Sequence, residues 1–174
     1  MAATDSNKYF SKLDALYRTI DSLTLTSPPA DFAAFGAFFN ENCTTYLKSM
    51  REFAEPAHGR NASIASLQEV LQQSHVVERN VLSRSITTSP NGESTTVFLE
   101  TKNILHVLGK KVDTFYETAV VTFDSEDLIK ELKNYSCRSH VVETVQKVTG
   151  EGPYSEGYLN SLTTGEEPVA GCCG

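Results

Sequence analysis

The chain has 174 residues, 40% of them hydrophobic and 21% charged, and a formal net charge of −7. That length buries a sizeable core without disulfides or metal and predicts one compact domain. The acidic balance argues against nucleic acid, whose phosphates call for clustered Lys and Arg, and no stretch approaches the roughly 20 apolar residues that cross a bilayer.

The first residues, MAATDSNKYFSKLDALY, show no basic region followed by an apolar core. No secretory signal is expected, and the compartment reads as cytoplasmic. Tyr9, Phe10, Leu13, Leu16, Tyr17, Ile20 and Leu23 recur at helical spacing, which predicts a helix over about 6–25. Asp5 or Ser6 is placed to cap it, and Ser27-Pro28-Pro29 to stop it. Asp31 then caps a shorter helix carrying Phe32, Phe35, Phe38 and Phe39, an aromatic stripe suited to core packing. Residues 43–47 are rich in β-formers and predict a short strand. Pro56 and Gly59 break the pattern before a third helix near 61–74, with Ile64, Leu67, Val70 and Leu71 on one face.

Long strands are predicted over about 76–88, 94–107, 111–123 and 127–138, with turn signals at 89–92, 108–110 and 124–126. Residues 139–149 suit one more short helix or a strand end. From Gly150 onward Gly, Pro, Ser, Thr and Glu dominate, so the expected division is a domain over 1–149 and a loose tail over 150–174. Helices segregated from antiparallel hairpins define an α+β fold. Long strands of this kind form a curved antiparallel sheet, and three N-terminal helices cover its concave side. The resulting cone encloses a pocket for a small ligand.

The four cysteines, Cys43, Cys137, Cys172 and Cys173, have neither zinc spacing nor a disulfide framework. The sequons at Asn42, Asn61 and Asn134 read as chance matches. Gly-rich phosphate loops, Gly-x-Ser-x-Gly elbows and His-Glu-x-x-His helices are absent from the sequence, which sets aside nucleotide, serine-hydrolase and zinc-protease readings.

The stretches DFAAFGAFFNENCTTYL (31–47), AHGRNASIASLQEVL (57–71) and VVTFDSEDLIKELKNYS (120–136), in this order of elements, resemble the nuclear-transport-factor-2-like superfamily. The nearest branch is that of SnoaL-like polyketide cyclases and isomerases, especially of filamentous fungi. The resemblance covers roughly 8–148. It implies a cofactor-independent, metal-free isomerase, cyclase or dehydratase acting on a polyketide or terpenoid-like intermediate of secondary metabolism. It equally admits a non-catalytic small-molecule-binding or dimerisation module, because fold does not decide activity. Relatives often carry Asp two residues after the Tyr of the last hairpin, where this chain has Cys137. Many relatives dimerise sheet to sheet, and Thr114, Tyr116, Thr118 and Thr122 suit such a twofold homodimer.

Enzymes of this type place an Asp or Glu inside the cone, often with His or Tyr. Apolar walls raise the carboxyl pKa and make it a usable acid or base. In 111–123 strand alternation puts Asp113, Phe115, Glu117, Ala119, Val121 and Phe123 on one face. The Phe before the turn points inward in relatives, so that parity carries Glu117 and Asp113 inward too. Glu117 is the first candidate acid or base, against the competing reading of a solvated or ion-paired strand residue. In 94–107 alternation allows either face: Phe98, Glu100, Lys102, Ile104 and His106, or the more apolar Val97, Leu99, Leu105 and Val107. His106 and Glu100 are therefore further catalytic candidates, with Asp113 towards the rim. Tyr17, Tyr46, Phe115, Arg79 and Tyr135 are candidate ligand contacts. Arg79 and Arg84 fall on opposite faces by simple alternation, and an inward Arg would suit an anionic or enolate-bearing ligand.

Overall fold

A computed structural model describes residues 3–47 and 55–150, with side chains from residue 7 onward. Helix α1 (Ala3–Ser22) and α2 (Pro29–Gly36) lead into β1 (Phe39–Tyr46), the two-residue β2 (Ala57–His58) and α3 (Arg60–Gln73). Four strands follow, β3 (Ser74–Thr88), β4 (Thr95–Val107), β5 (Lys110–Phe123) and β6 (Ile129–Ser136), and then α4 (Ser139–Thr149). The six strands form one sheet in the order β2-β1-β6-β5-β4-β3. The fold is α+β, as the sequence predicts.

Several details differ from the expectations. The sheet is mixed rather than antiparallel, because β1 pairs with β6 in parallel. The crossover through α3 carries the chain from one edge to the other, and three successive reversals return β6 beside β1 in the same direction. Helix α1 starts at Ala3, so Asp5 and Ser6 lie within it instead of capping it. Helix α2 has Pro at its first position and no side-chain cap, and Asp31 sits in its first turn. The predicted tail over 150–174, with Cys172 and Cys173, lies outside the described residues beyond Gly150.

The turns between strands follow local chemistry. Val107 pairs with Lys110 across a two-residue turn in which Leu108 and Gly109 both have positive φ. That is the twist a tight hairpin requires, and glycine supplies half of it without a Cβ clash. In the β5–β6 turn the Asp124 carboxylate accepts the backbone N–H of Glu126 and Leu128 and the side-chain amide of Asn40. Asp127 accepts the hydroxyl of Tyr9 at 2.8 Å and pairs with Lys8, which fastens the turn to α1.

The main core lies between the helices and one face of the sheet. Phe35, Phe39, Phe123, Leu13 and Leu16 are fully buried there, with Val97, Val121 and Leu132 from the sheet. Each such Phe contributes about 1.5–3 kcal/mol by leaving water. A smaller cluster of Leu105, Val107, Val112, Phe115 and Val141 forms where α4 closes on β4 and β5.

Two kinds of irregularity decide which side chains face this interior. In β5, Asn103 pairs with Phe115 and Leu105 with Val112, so Asp113 and Thr114 of β5 together oppose the single Ile104 of β4. Thr114, at φ 65°, is the turning point of this bulge. The extra residue reverses the alternation: Val112 and Phe115 both point inward, and Asp113 points outward. In β3, register shifts between Val76 and Glu78 and between Val81 and Ser83 act in the same way. They put Arg79 and Arg84 on one face, opposite the inward Asn103 and Leu99 of β4, which corrects the opposite-face expectation.

Candidate functional site

Helix α1 turns Phe10, Asp14, Tyr17 and Asp21 towards β3, at the three- and four-residue steps that share a helix face. Each half of this row receives one arginine. The Arg84 guanidinium lies 4.5 Å from the Phe10 ring centre, and its Nη1 donates to Asp14 at 3.1 Å. The Arg79 guanidinium lies 4.2 Å from the Tyr17 ring centre. Its Nε and Nη2 donate to the two oxygens of Asp21 at 3.0 and 2.8 Å, a bidentate clamp. The outer pair is half-exposed. The inner one is not, since the Arg79 side chain is only 9% exposed.

Arg79 Nη1 then stands 3.5 Å from Oε1 of Glu117, whose side chain is 15% exposed. Burial raises the Glu117 carboxyl above the usual carboxylate range, the positive Arg79 pulls against the shift, and the charge of Asp21 adds to it. Burial also raises the Tyr17 phenol, helped by the negative charge of Glu117, so the hydroxyl stays protonated. Arg79 keeps its charge despite burial, because the hydrogen bonds and charge of Asp21 outweigh the loss of water.

Glu117 also forms part of the wall of a cavity of about 90 Å³. Ile20 of α1, Leu67 and Leu71 of α3, Leu105 of β4, Phe115 of β5 and Val141 of α4 make most of its lining apolar. Ser136 and Arg138 add polar groups from the end of β6 and the segment after it. A carboxyl with a raised pKa against apolar walls can exchange a proton with a bound molecule near neutral pH.

Two buried asparagines add polar groups on the inner face of the sheet. Asn103 sits between Thr101 and Leu105 on the inner face of β4, and Asn134 lies opposite Ala119 on β6. Among the described residues, Asn103 Oδ1 and Nδ2, Asn134 Oδ1 and the Tyr17 hydroxyl find no hydrogen-bond partner. Leaving such a group unpaired costs about 1–3 kcal/mol. The Asn103 carboxamide, the Asn134 carbonyl and the Tyr17 hydroxyl are thus held in the fold against stability.

Of the residues singled out from sequence, the structure brings together Glu117, Arg79, Tyr17 and Phe115. The others lie on the outer face of the sheet and are not among the residues that line the cavity. Asp113 is displaced there by the Thr114 bulge and pairs with the exposed Lys111 at 2.9 Å. Strand β4 keeps a regular alternation whose apolar face is the buried one, so Glu100 and His106 point out. Glu100 accepts from Ser83, and His106 meets His75 edge to face at 5.3 Å. Tyr46 pairs in register with Lys133, and Tyr135 with Thr118, both in outer-face rows. Cys137 is exposed, 2.8 Å from the Ser139 hydroxyl.

Sequence reasoning passed over Asp21, Asn103 and Asn134. A signal existed for Asn103, a polar residue between Thr101 and Leu105 on an otherwise apolar strand face. A weaker one existed for Asp21, in the repeat of an aromatic followed four residues later by an acid at 10/14 and 17/21. Among the described residues no group of three His, Cys, Asp or Glu is placed to hold a metal ion, and no helix is long and apolar enough to cross a membrane.

Comparison by sequence matches no family model and no curated protein. Comparison by structure finds clear likenesses. A provisional scytalone dehydratase of Novosphingobium aromaticivorans superposes with a TM-score of 0.58 at 13% identity, over 77% of this chain and 85% of its own. A Catenulispora acidiphila protein solved with S-DNPA gives 0.57 at 10% identity, over 86% and 100%. An LEH-like epoxide hydrolase of M. tuberculosis gives 0.54 at 14% identity, over 83% and 98%. At such identities the likeness is one of fold. The chain shares the fold of these proteins, an α+β arrangement of helices packed on one face of a curved sheet.

Proposed function

We propose that this protein is a cofactor-independent acid–base isomerase, cyclase or dehydratase acting on a polyketide or terpenoid-like intermediate of secondary metabolism. We place it in the cytoplasm as a homodimer. The observation that carries this reading is the Glu117 carboxyl, set in the wall of an apolar cavity with a raised pKa and a single cation 3.5 Å away. Glu117 takes a proton from the carbon next to a substrate carbonyl, and the C–H electron pair moves onto the carbonyl oxygen as an enolate. Isomerisation follows when Glu117 returns the proton to a different carbon. Dehydration follows when it protonates a departing β-hydroxyl, which leaves as water. Arg79 holds the ionised form of Glu117 in place between proton transfers. The dehydratase and epoxide hydrolase names of two fold neighbours support a small-molecule reading.

The test is hydrogen–deuterium exchange at the α-carbon of cyclic ketones in D₂O, followed by proton NMR. Exchange above the buffer rate is expected with the wild-type protein and not with Glu117→Gln. Equal exchange by both proteins would remove Glu117 from the chemistry. One observation favours a second reading, a binding or dimerisation module of the same fold: Cys137 stands where the resemblance implies a carboxylate. Ketones that bind without exchanging would support it.

A further inference from the structure

We propose that the substrate of the Glu117 cavity is an oxo acid, whose ketone oxygen accepts a hydrogen bond from Ser136 and whose carboxylate pairs with Arg138. The inference rests on the reading that this cavity is the reactive site, and it adds the two residues that orient the substrate there.

Glu117 pairs with Ser136 across the β5–β6 ladder, and both residues line the cavity. Directly opposed residues of an antiparallel pair hold their Cβ atoms about 4.5–5.5 Å apart on one face. A ketone oxygen that accepts from the Ser136 hydroxyl therefore brings its α-carbon within reach of the Glu117 carboxylate. Glu117 takes the α-proton, the C–H electron pair moves onto the oxygen, and the Ser136 O–H holds the enolate. Return of a proton to carbon restores the ketone. Thr101, the other cross-strand neighbour of Glu117, is not among the lining residues, and its hydroxyl donates to the Glu117 backbone carbonyl at 3.5 Å.

Two residues past Ser136, Arg138 lines the same cavity. Two residues of chain span at most about 7 Å, so the ketone and the carboxylate of one small ring can engage both side chains. The guanidinium stays charged and offers five N–H donors in a fork that fits a carboxylate, so a partner elsewhere does not exhaust it. Helix α4 gains nothing from this cation: Arg138 makes no side-chain capping hydrogen bond, and a positive charge at a helix N-terminus opposes the dipole. Arg79 is not among the lining residues and is clamped by Asp21, and the ring of the lining His75 meets His106 on the outer face. Among the described residues the lining thus holds one guanidinium, which balances a carboxylate but not a phosphate dianion. Arg138 is half-buried, whereas the Glu117 side chain is 15% exposed, so the charged end of the ligand keeps part of its water while the reacting end is enclosed. The cavity, at about 90 Å³, is smaller than the roughly 300–1,000 Å³ of drug-sized sites, which limits that end to a compact ring or chain.

The isosteric pair 4-oxocyclohexanecarboxylate and 4-oxocyclohexanecarboxamide tests the assignment. Affinities are read by amide chemical-shift titration of the full chain, and α-carbon exchange in D₂O by proton NMR. The carboxylate is expected to bind at least tenfold more tightly than the carboxamide. Arg138→Gln should bring the two probes level, and Arg138→Lys, which keeps the charge, should keep most of the preference. Ser136→Ala should slow exchange of the bound carboxylate at least tenfold while its affinity stays within about threefold, and Ser136→Thr should restore the rate. Equal or absent binding of the two probes overturns the proposal. So does a preference that survives Arg138→Gln, or an exchange rate that Ser136→Ala leaves unchanged. Glu117→Gln keeps the two readings apart. Exchange lost in that variant, with no carboxylate preference in the wild type, sinks this inference alone. A preference that depends on Arg138, together with exchange that survives Glu117→Gln, sinks the acid–base role of Glu117 and leaves the oxo acid as the ligand.

Discussion

Arg79 gives Asp21 two hydrogen bonds and stands 3.5 Å from Glu117, so one buried guanidinium answers to two carboxylates of unequal hold. Asp21 is the better bonded and more exposed of the pair, and it holds the arginine in position. Glu117 is the more buried and the less firmly held, which leaves its proton exchangeable. Buried ion pairs contribute little net stability because desolvation offsets attraction. The arrangement makes more sense as a means of setting the protonation of Glu117 than as a brace for the fold.

The first expectation concerns Glu117→Gln. Loss of a positioned acid–base group costs about 10²- to 10⁴-fold in rate. Stability should move the other way. The folded-state pKa of Glu117 is raised, so the folded protein holds this proton more tightly than the unfolded chain. That contribution is fully present below the unfolded value of about 4.3 and is lost as pH rises through the raised folded pKa. Gln does not ionise and escapes the loss. The melting temperature of the variant relative to wild type should therefore climb as pH rises from the unfolded value of about 4.3 through the raised folded pKa. A flat difference across that window would mean that burial does not control this carboxyl.

Asp21→Asn removes the main partner of Arg79 and leaves the guanidinium to Glu117 alone. The negative charge of Asp21 also disappears from the surroundings of Glu117. Both changes favour the ionised carboxylate, so the acidic limb of the pH–rate profile should shift to lower pH. The lost charged hydrogen bonds should cost about 1.5–3 kcal/mol in urea denaturation. A limb that stays put, with that destabilisation present, would reduce Asp21 to a structural role.

How far the sequence could be read depended on where the strands stay regular. From Phe123 back to Phe115 alternation holds, and Glu117 comes out on the inner face as expected. One residue in the left-handed region at Thr114 then flips everything before it, and Asp113 is lost to the surface. Nothing in Val112-Asp113-Thr114 announces that bulge, since a β-branched residue is a poor candidate for positive φ. The same kind of slip in β3 brought Arg84 round beside Arg79. Strand β4 has no extra residue, and its face pattern was open to either reading only because polar Thr101 and Asn103 interrupt the apolar side. The Asp21–Arg79 clamp joins residues 58 apart and lies on the tertiary link, out of reach of local pattern.

The bulge itself is open to test. A non-glycine residue in the left-handed region costs about 1–2 kcal/mol, and the backbone entropy of glycine gives back part of the gain. Thr114→Gly should therefore stabilise the protein by about 0.5–1 kcal/mol in urea denaturation, with the cavity unchanged. Destabilisation instead would mean that the Thr114 side chain makes a contact worth more than the strain.

The last expectation concerns the outer face of the sheet. Phe98, Tyr116 and Tyr135 are 42%, 51% and 45% exposed there, with Val120 beside Phe98 across the β4–β5 pair. Large exposed apolar side chains on one sheet face are unusual for a monomer and suit a self-complementary twofold contact. Tyr116 stands among them, so Tyr116→Glu would set two like charges near the axis of such a dimer. Sedimentation at micromolar concentration should find the wild type dimeric and Tyr116→Glu monomeric, with a dissociation constant raised at least tenfold. The inner face is untouched by this change, so the thermal stability of the monomer should stay within about 0.5 kcal/mol of a surface substitution. A wild type that sediments as a monomer would leave these aromatics without a twofold partner and sink the dimer.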